Sequence, residues 1–169
     1  MPRIKIAQLV QSGGSANDPA VIVNLRPDQQ AMATGLMAGC CSAILLWNAT
    51  DDDADDANGA YESMRGHHAD ADPANIDWTN LLRGVPNDPA KARLIIACAR
   101  DNLDPNHHYN YRTKVLTALD ASAVPPILFD DGHACSLTPY FYGFSDLLVF
   151  RNGIVIELNG SDYAEYDVG

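Results

Sequence analysis

The run Ser42-Ala43-Ile44-Leu45-Leu46-Trp47 decides the fold, because it is a short, almost wholly apolar stretch that ends abruptly in a polar segment. Such a run predicts a strand buried on both faces, although periodicity does not distinguish it from a short helix. After an acidic segment at 51–56, residues 61–69 form a second strand-like run that carries His67 and His68. We therefore predict an antiparallel hairpin with the acidic segment as its loop.

Further strand-like segments lie before and after this hairpin. They are short apolar runs bounded by glycine, proline or polar residues, at 20–25, 91–98, 127–129, 146–150 and 154–158. The pair Asn152-Gly153 between the last two runs predicts a type I′ hairpin turn. The sequence thus predicts a protein that is rich in strands.

Two segments between the strands have helical patterns. In the first, at 73–82, Asp72 precedes Pro73 as an N-cap, and the inward residues are expected to be Ile76, Leu81 and Leu82. In the second, at 110–121, one apolar face is expected to contain Val115, Leu116 and Leu119. The predicted fold class is α+β, a β-sandwich flanked by helices, formed as one catalytic domain over residues 1–169.

Composition limits the classes of function. A chain of 169 residues with 47% apolar content is long enough for one compact core. The net charge of −11 argues against nucleic-acid binding, which needs clustered Lys and Arg. We expect no cleavable signal peptide and no membrane span, because the first apolar run is too short and no later one is long enough. Four irregularly spaced cysteines are expected to be free thiols.

Doubled cysteines and doubled histidines stand where chemistry is expected. Cys40 and Cys41 open the first strand of the hairpin, and His67 and His68 lie near the end of the second. A thiolate is a good nucleophile, and a histidine within hydrogen-bond distance can take its proton and later protonate a leaving group. Side chains alternate along a strand, so only one member of each pair can face a given pocket. A pair of inert cysteines buried in a β-core is the alternative interpretation.

The segment Thr34-Gly35-Leu36-Met37-Ala38-Gly39-Cys40 resembles the motif of the CheD and cytotoxic-necrotizing-factor-like glutamine deamidases, in which a threonine lies six positions before the nucleophilic cysteine. His68-Ala69-Asp70 resembles the histidine region of several members, and the order of elements is similar. The chain departs from the pattern at Met37 and Ala38, and its loop between cysteine and histidine is longer and more acidic. The CheD form, glycine-serine-cysteine, would instead match Gly39-Cys40-Cys41 and make Cys41 the nucleophile.

The resemblance implies a CheD/necrotizing-factor-like fold and a hydrolase that converts a side-chain glutamine, or asparagine, of a target protein to the acid. The spacing from Thr34 favours Cys40 over Cys41 as the nucleophile, and the His-x-Asp context favours His68 over His67 as the acid and base. Thr34 is expected to orient the histidine or to hydrogen-bond the substrate amide. The backbone near Gly39 would hold the oxyanion. No metal and no organic cofactor are expected.

The resemblance and the small, acidic build together predict a bacterial effector toxin. We expect a monomer that is made in the bacterial cytoplasm and delivered into the cytosol of a host cell. Its protein substrate would typically be a regulatory GTPase or a translation factor, and neither nucleic acid nor a membrane is an expected partner. A housekeeping receptor deamidase of the CheD kind is the alternative within the same family.

Two other classes of function compete with this prediction. A papain-like cysteine protease or deamidase would use Cys41, His133 and Asp146, and it requires a helix rather than a strand at 42–47. A non-enzymatic acidic binding or immunity protein would use the run at 51–56 to engage a basic partner. Metal sites are not expected, because the spacings match neither an EF-hand nor a zinc motif.

Overall fold

The computed structural model describes residues 3–35, 39–49, 61–70, 72–86, 88, 90–106, 110–123, 137, 139–143, 146–159 and 162–167. These residues form two five-stranded sheets and few helices, so the predicted α+β class is confirmed. The strands are β1 Ile6–Gln8, β2 Val23–Asn24, β3 Ala31–Ala33, β4 Cys41–Ala49, β5 Tyr61–Ala69, β6 Ala92–Cys98, β7 Pro139–Gly143, β8 Leu147–Phe150, β9 Ile154–Asn159 and β10 Asp162–Asp167. The α-helices are α1 Trp78–Leu81 and α2 Tyr111–Ala123, and short 3-10 helices span Pro73–Asn75 and Arg100–Leu103.

The two sheets pack face to face, with the helices on the outer side of one of them. The first sheet has the order β1-β3-β8-β9-β10, and the second has the order β2-β5-β4-β6-β7. An apolar core between the sheets includes Met32 and Val149 from the first sheet and Ile44 and Leu46 from the second. A second core lies on the opposite face of the second sheet, where α1 and α2 cover β4 and β6. The chain therefore forms three layers: sheet, sheet and helices.

The predicted hairpin is present and forms the centre of the second sheet. Strand β4 pairs antiparallel with β5 on one side and with β6 on the other. Ala43 and Leu45 face the helices, whereas Ile44 and Leu46 face the first sheet. Because both faces of β4 are covered, its sequence is apolar at almost every position rather than at every second one.

The prediction of one continuous helix at 73–82 is wrong. Asp72 caps Ala74 N at 3.0 Å to start the 3-10 helix, but Ile76 is extended and Asp77 then caps Asn80 N at 3.1 Å to start α1. Two N-caps five residues apart divide the segment, since an N-cap residue takes a non-helical conformation. The predicted burial of Ile76, Leu81 and Leu82 is confirmed.

In α2 the predicted apolar face is only partly correct. Val115 and Leu119 are buried against the second sheet together with Tyr111, four residues before Val115. Leu116, which was expected to share this face, is 47% exposed. A residue directly after Val115 is rotated by about 100° around the helix axis, and the sheet does not reach that far.

Three other expectations concern two strands and a turn. Two of them differ from the structure, and the third falls outside the described residues. The strand expected at 20–25 is reduced to the two residues of β2, and the short strands β1 and β3 were not predicted. The turn between β8 and β9 is not of type I′, because Gly153 has a φ of +83° while Asn152 does not have a positive φ. It is a longer turn in which Gly153 N donates to Phe150 O at 3.0 Å and glycine takes the left-handed position. The strand expected at 127–129 lies outside the described residues.

Candidate functional site

The start of β4 and the end of β5 meet at one end of the sandwich. Ser42 is directly opposite His68, and Cys41 is directly opposite Ala69. Cys40, one residue before β4, is half-buried and packs against the core between the sheets. The His68 side chain points to the same side, since it contacts Thr34, which follows β3 of the first sheet. The structure therefore brings Cys40, His68 and Thr34 to one face.

The His68 ring is held in one tautomer. Its Nδ1 lies 3.0 Å from the backbone carbonyl oxygen of Thr34, and a carbonyl only accepts, so Nδ1 carries the proton. The other nitrogen, Nε2, is buried and has no hydrogen-bond partner among the described residues. Burial lowers the pKa of His68, and the bond to Thr34 opposes this shift only in part. At neutral pH the ring is therefore uncharged, with a lone pair at Nε2.

Thr34 is a rigid point of attachment for this histidine. Its backbone N–H donates to Leu147 O at 3.0 Å, and its hydroxyl accepts from Leu147 N at 2.9 Å. The same hydroxyl donates to Gly35 O at 3.2 Å. Thr34 thus contacts the histidine through its main chain, while its side chain binds β8. The sequence left open whether Thr34 orients the histidine or hydrogen-bonds the substrate amide. In the structure its hydroxyl is not directed at His68.

The half-buried Cys40 thiol and the backbone beside it contact residues from distant parts of the chain. Its Sγ donates to Oε1 of the exposed Gln11 at 3.3 Å. The preceding carbonyl, that of Gly39, accepts from the hydroxyl of Tyr111 at 3.0 Å, so helix α2 anchors the backbone beside the thiol. A Cβ built on Gly39 would meet no atom within 4 Å among the described residues.

Cys41 and His67 point to the opposite face and occupy structural positions. The Cys41 thiol is fully buried opposite Cys98, and burial raises its pKa well above the usual value, so it is protonated at neutral pH. His67 uses both ring nitrogens: Nε2 lies 3.1 Å from Ser12 O, and Nδ1 accepts from Asp77 N at 3.0 Å. Neither side chain offers what a nucleophile or a base requires.

The nucleophile of the papain-like alternative, Cys41, is not placed as that alternative requires. Residues 42–47 form a strand and not a helix, and Cys41 is sealed in the core. Asp146 is half-buried, and burial raises the pKa of its carboxyl group, while the backbone of Gly35 opposes this shift in part. His133 lies outside the described residues.

Other sequence features contribute no site to the part of the chain that the structure describes. The acidic run at 51–56 and a second pair of adjacent histidines, at 107–108, fall outside it. No group of three or more His, Cys, Asp or Glu side chains within it could hold a metal ion. None of the helices in the described ranges has the length and hydropathy needed to span a bilayer.

Sequence reasoning missed Gln11 and Tyr111. Both reach Cys40 or its neighbour from distant parts of the chain, over 29 and 72 residues. No local pattern around either residue signals this contact, because it arises only when the layers pack. In contrast, Thr34 entered the candidate site through the resemblance of the segment 34–40 to a known motif.

Comparison with known proteins does not extend this description. A scan against protein-family models finds no match to the chain, and a search of curated proteins finds no relative with significant sequence similarity.

Proposed function

We propose that the protein is a cysteine-dependent hydrolase of side-chain carboxamides, a protein glutamine or asparagine deamidase. In this proposal Cys40 is the nucleophile, His68 is the acid and base, and the Thr34 carbonyl orients His68. One observation carries the proposal: His68 donates from Nδ1 to Thr34 O and keeps an unprotonated Nε2, without a partner in the described residues, on the face where Cys40 lies. A neutral imidazole oriented in this way can take a proton from a thiol.

The reaction balances without a cofactor. Nε2 of His68 takes the thiol proton, and the Cys40 sulfur adds to the carboxamide carbon of the substrate. The tetrahedral intermediate collapses with cleavage of its C–N bond, and the proton on His68 passes to the leaving nitrogen, so ammonia departs. Water, deprotonated by the same nitrogen, then attacks the thioester, releasing the side-chain carboxylic acid and the free thiol.

The thiol and the imidazole are neighbours across the hairpin. Cys40 lies two residues before Ser42, the direct partner of His68, so the two side chains are diagonal neighbours on one face. Such neighbours have Cα atoms about 7–8 Å apart, with side chains that can meet. In this structure the thiol donates to Gln11 instead, so the catalytic pair forms when the Cys40 side chain turns toward His68. Catalytic hydrogen bonds often tighten only with substrate bound.

The finer part of the proposal follows the family resemblance of the motif at 34–40. The two packed sheets with helices on one side are compatible with a CheD/necrotizing-factor-like fold, and we include that fold in the proposal. The biological role proposed is that of a monomeric bacterial effector, delivered to a host cytosol, with a regulatory GTPase or a translation factor as its protein substrate. The family resemblance of the motif and the small, acidic build of the chain support this role.

The test is deamidation in a mixture of folded host-cell proteins. The purified protein is incubated with the mixture, and ammonia release and glutamine-to-glutamate conversion are measured by mass spectrometry. Loss of conversion is expected with Cys40→Ser and His68→Gln, whereas Cys41→Ala should retain it when rates are normalised to folded protein. Conversion by Cys40→Ser at the wild-type rate would refute the proposal, and so would no conversion above buffer with wild-type protein.

A further inference from the structure

Gln11 is held beside the candidate site by its backbone. It forms an isolated parallel bridge with His68, and the next residue, Ser12, donates its N–H to His68 O at 2.9 Å. The Ser12 hydroxyl in turn accepts from Val21 N at 2.8 Å. These bonds fix the chain along β5, on the edge of that strand away from β4. The Gln11 side chain remains exposed and reaches the Cys40 thiol.

The group that touches the thiol has the chemistry of the proposed substrate. The Gln11 side chain ends in a primary carboxamide, and its Oε1 is 3.3 Å from Cys40 Sγ. With a C=O bond of about 1.23 Å, the carboxamide carbon lies at most about 4.5 Å from the sulfur. Reacting atoms in a near-attack arrangement are about 3–3.5 Å apart. A small movement therefore separates the observed contact from one in which a thiolate would attack.

Building on the function proposed above, we infer that the Gln11 carboxamide occupies the place of the substrate's carboxamide. The site is then a subsite for a primary carboxamide, and Gln11 is its internal occupant. A glutamine side chain of a target protein enters only after the Gln11 side chain turns out into solvent. The side chain is exposed, as such a turn requires.

The same contact explains why Nε2 of His68 has no partner in the described part of the chain. While Oε1 of Gln11 accepts the thiol proton, the thiol cannot donate to the imidazole. A buried nitrogen lone pair without a donor is unfavourable, so the thiol turns to Nε2 once Gln11 leaves. Displacement of Gln11 therefore opens the subsite and forms the thiol–imidazole pair in one step.

The test measures the alkylation of Cys40 with two reagents. Iodoacetamide carries a primary carboxamide, whereas N-ethylmaleimide does not. Rates are followed by mass spectrometry of the peptide that contains Cys40, with Cys40→Ser as the blank. The variants are Gln11→Ala and, as a matched control, Gln30→Ala, which also removes an exposed glutamine side chain but at a distance, where it contacts Lys5 and Asp28.

The Gln11→Ala variant should react about fivefold faster than wild type with iodoacetamide, since a net hydrogen bond from the thiol no longer has to break. Its rate with N-ethylmaleimide should rise less, so the ratio of the two rates increases, while Gln30→Ala keeps the wild-type ratio. Equal acceleration with both reagents would overturn the carboxamide subsite and leave Gln11 as a simple shield. Unchanged rates would show that Gln11 does not occupy the site.

A third variant separates this inference from the proposed function. In the Gln11→Ala background, His68→Gln should slow Cys40 alkylation at neutral pH, because the Cys40 thiol loses the base that takes its proton. If His68→Gln changes neither the rate nor its pH dependence, the proposed cysteine–histidine chemistry fails, whatever the reagent ratio shows. If the histidine dependence is present but the reagent ratio does not change, only the inference about Gln11 fails.

Discussion

The backbone carbonyl of Thr34 accepts a hydrogen bond from His68 Nδ1 at 3.0 Å, and this contact joins the two sheets of the sandwich. Thr34 follows β3 of the first sheet, and His68 lies in β5 of the second. The histidine is therefore oriented by the packing of the sheets and not by a neighbouring side chain. Substitutions that alter the distance between the two sheets should therefore change the orientation of the His68 ring.

Thr34→Val tests whether the threonine hydroxyl stabilises the folded protein. The hydroxyl accepts from the buried Leu147 N, and valine would leave this donor unsatisfied, which costs about 1–3 kcal/mol in the free energy of unfolding. The loss should appear in urea denaturation, and Thr34→Ser should show little of it. Equal stability of Thr34→Val and wild type would contradict the structural role of the hydroxyl.

Protein stability should depend on pH through the two buried histidines. Burial lowers the pKa of both His67 and His68 below the usual 6.5, so the unfolded chain binds protons more readily than the folded one. The free energy of unfolding should therefore fall as the pH drops below about 6.5 and through the lowered folded pKa values, and rise again toward pH 7. Burial raises the pKa of the Asp146 carboxyl group, so this group binds protons more readily in the folded chain and acts in the opposite direction.

The measurement is urea denaturation of wild type and His68→Gln between pH 5 and 7.5. The variant should lose less stability on acidification, because one of the two linked groups has been removed. Under the proposed function, the acid limb of kcat/KM should also lie below pH 6.5. Stability that increases on acidification over this range would contradict the assignment of neutral, buried imidazoles.

Gly66→Ala tests how closely the sheets approach beside the site. A Cβ at Gly66 would lie 2.5 Å from Met32 Sδ and 2.9 Å from a methyl carbon of Leu9, both packed between the sheets. Overpacking of this kind typically costs about 1–3 kcal/mol. Gly39→Ala is the matched control, since its Cβ would meet nothing within 4 Å in the described residues. Equal urea midpoints for the two variants would show that the space between the sheets at Gly66 can accept a methyl group.

Substitutions of Cys41 test whether this residue occupies a dry packing position in the apolar core. Cys41→Ser would place a hydroxyl in the apolar core, which costs about 1–3 kcal/mol when the group is poorly bonded. Cys41→Ala avoids this polar penalty, so it should be the more stable of the two in urea denaturation. A Cys41→Ser variant as stable as wild type would mean that the core at this point is accessible to water.

Local pattern was sufficient where an element is long and covered on both faces. Strand β4 was recognisable because it is apolar at almost every position, and β5 because it is the return strand expected after the acidic loop. Strands of two or three residues, such as β2 and β3, are stabilised by their partners in the sheet and carry too few residues for a pattern to emerge. The division of the predicted helix at Asp77 is decided by side-chain capping and by contact with His67, which periodicity does not report.

The sequence by itself determined the β4–β5 hairpin and the rule that Cys40 and Cys41, like His67 and His68, must point to opposite faces. This rule is local, because it follows from the alternation of side chains along one strand. Only the tertiary structure decided which face is the candidate site. The first sheet brings the Thr34 carbonyl to His68, whereas the helical layer seals Cys41 and the Asp77 amide binds His67. These partners come from other layers of the fold, so packing assigns the role of each member of the doubled pairs.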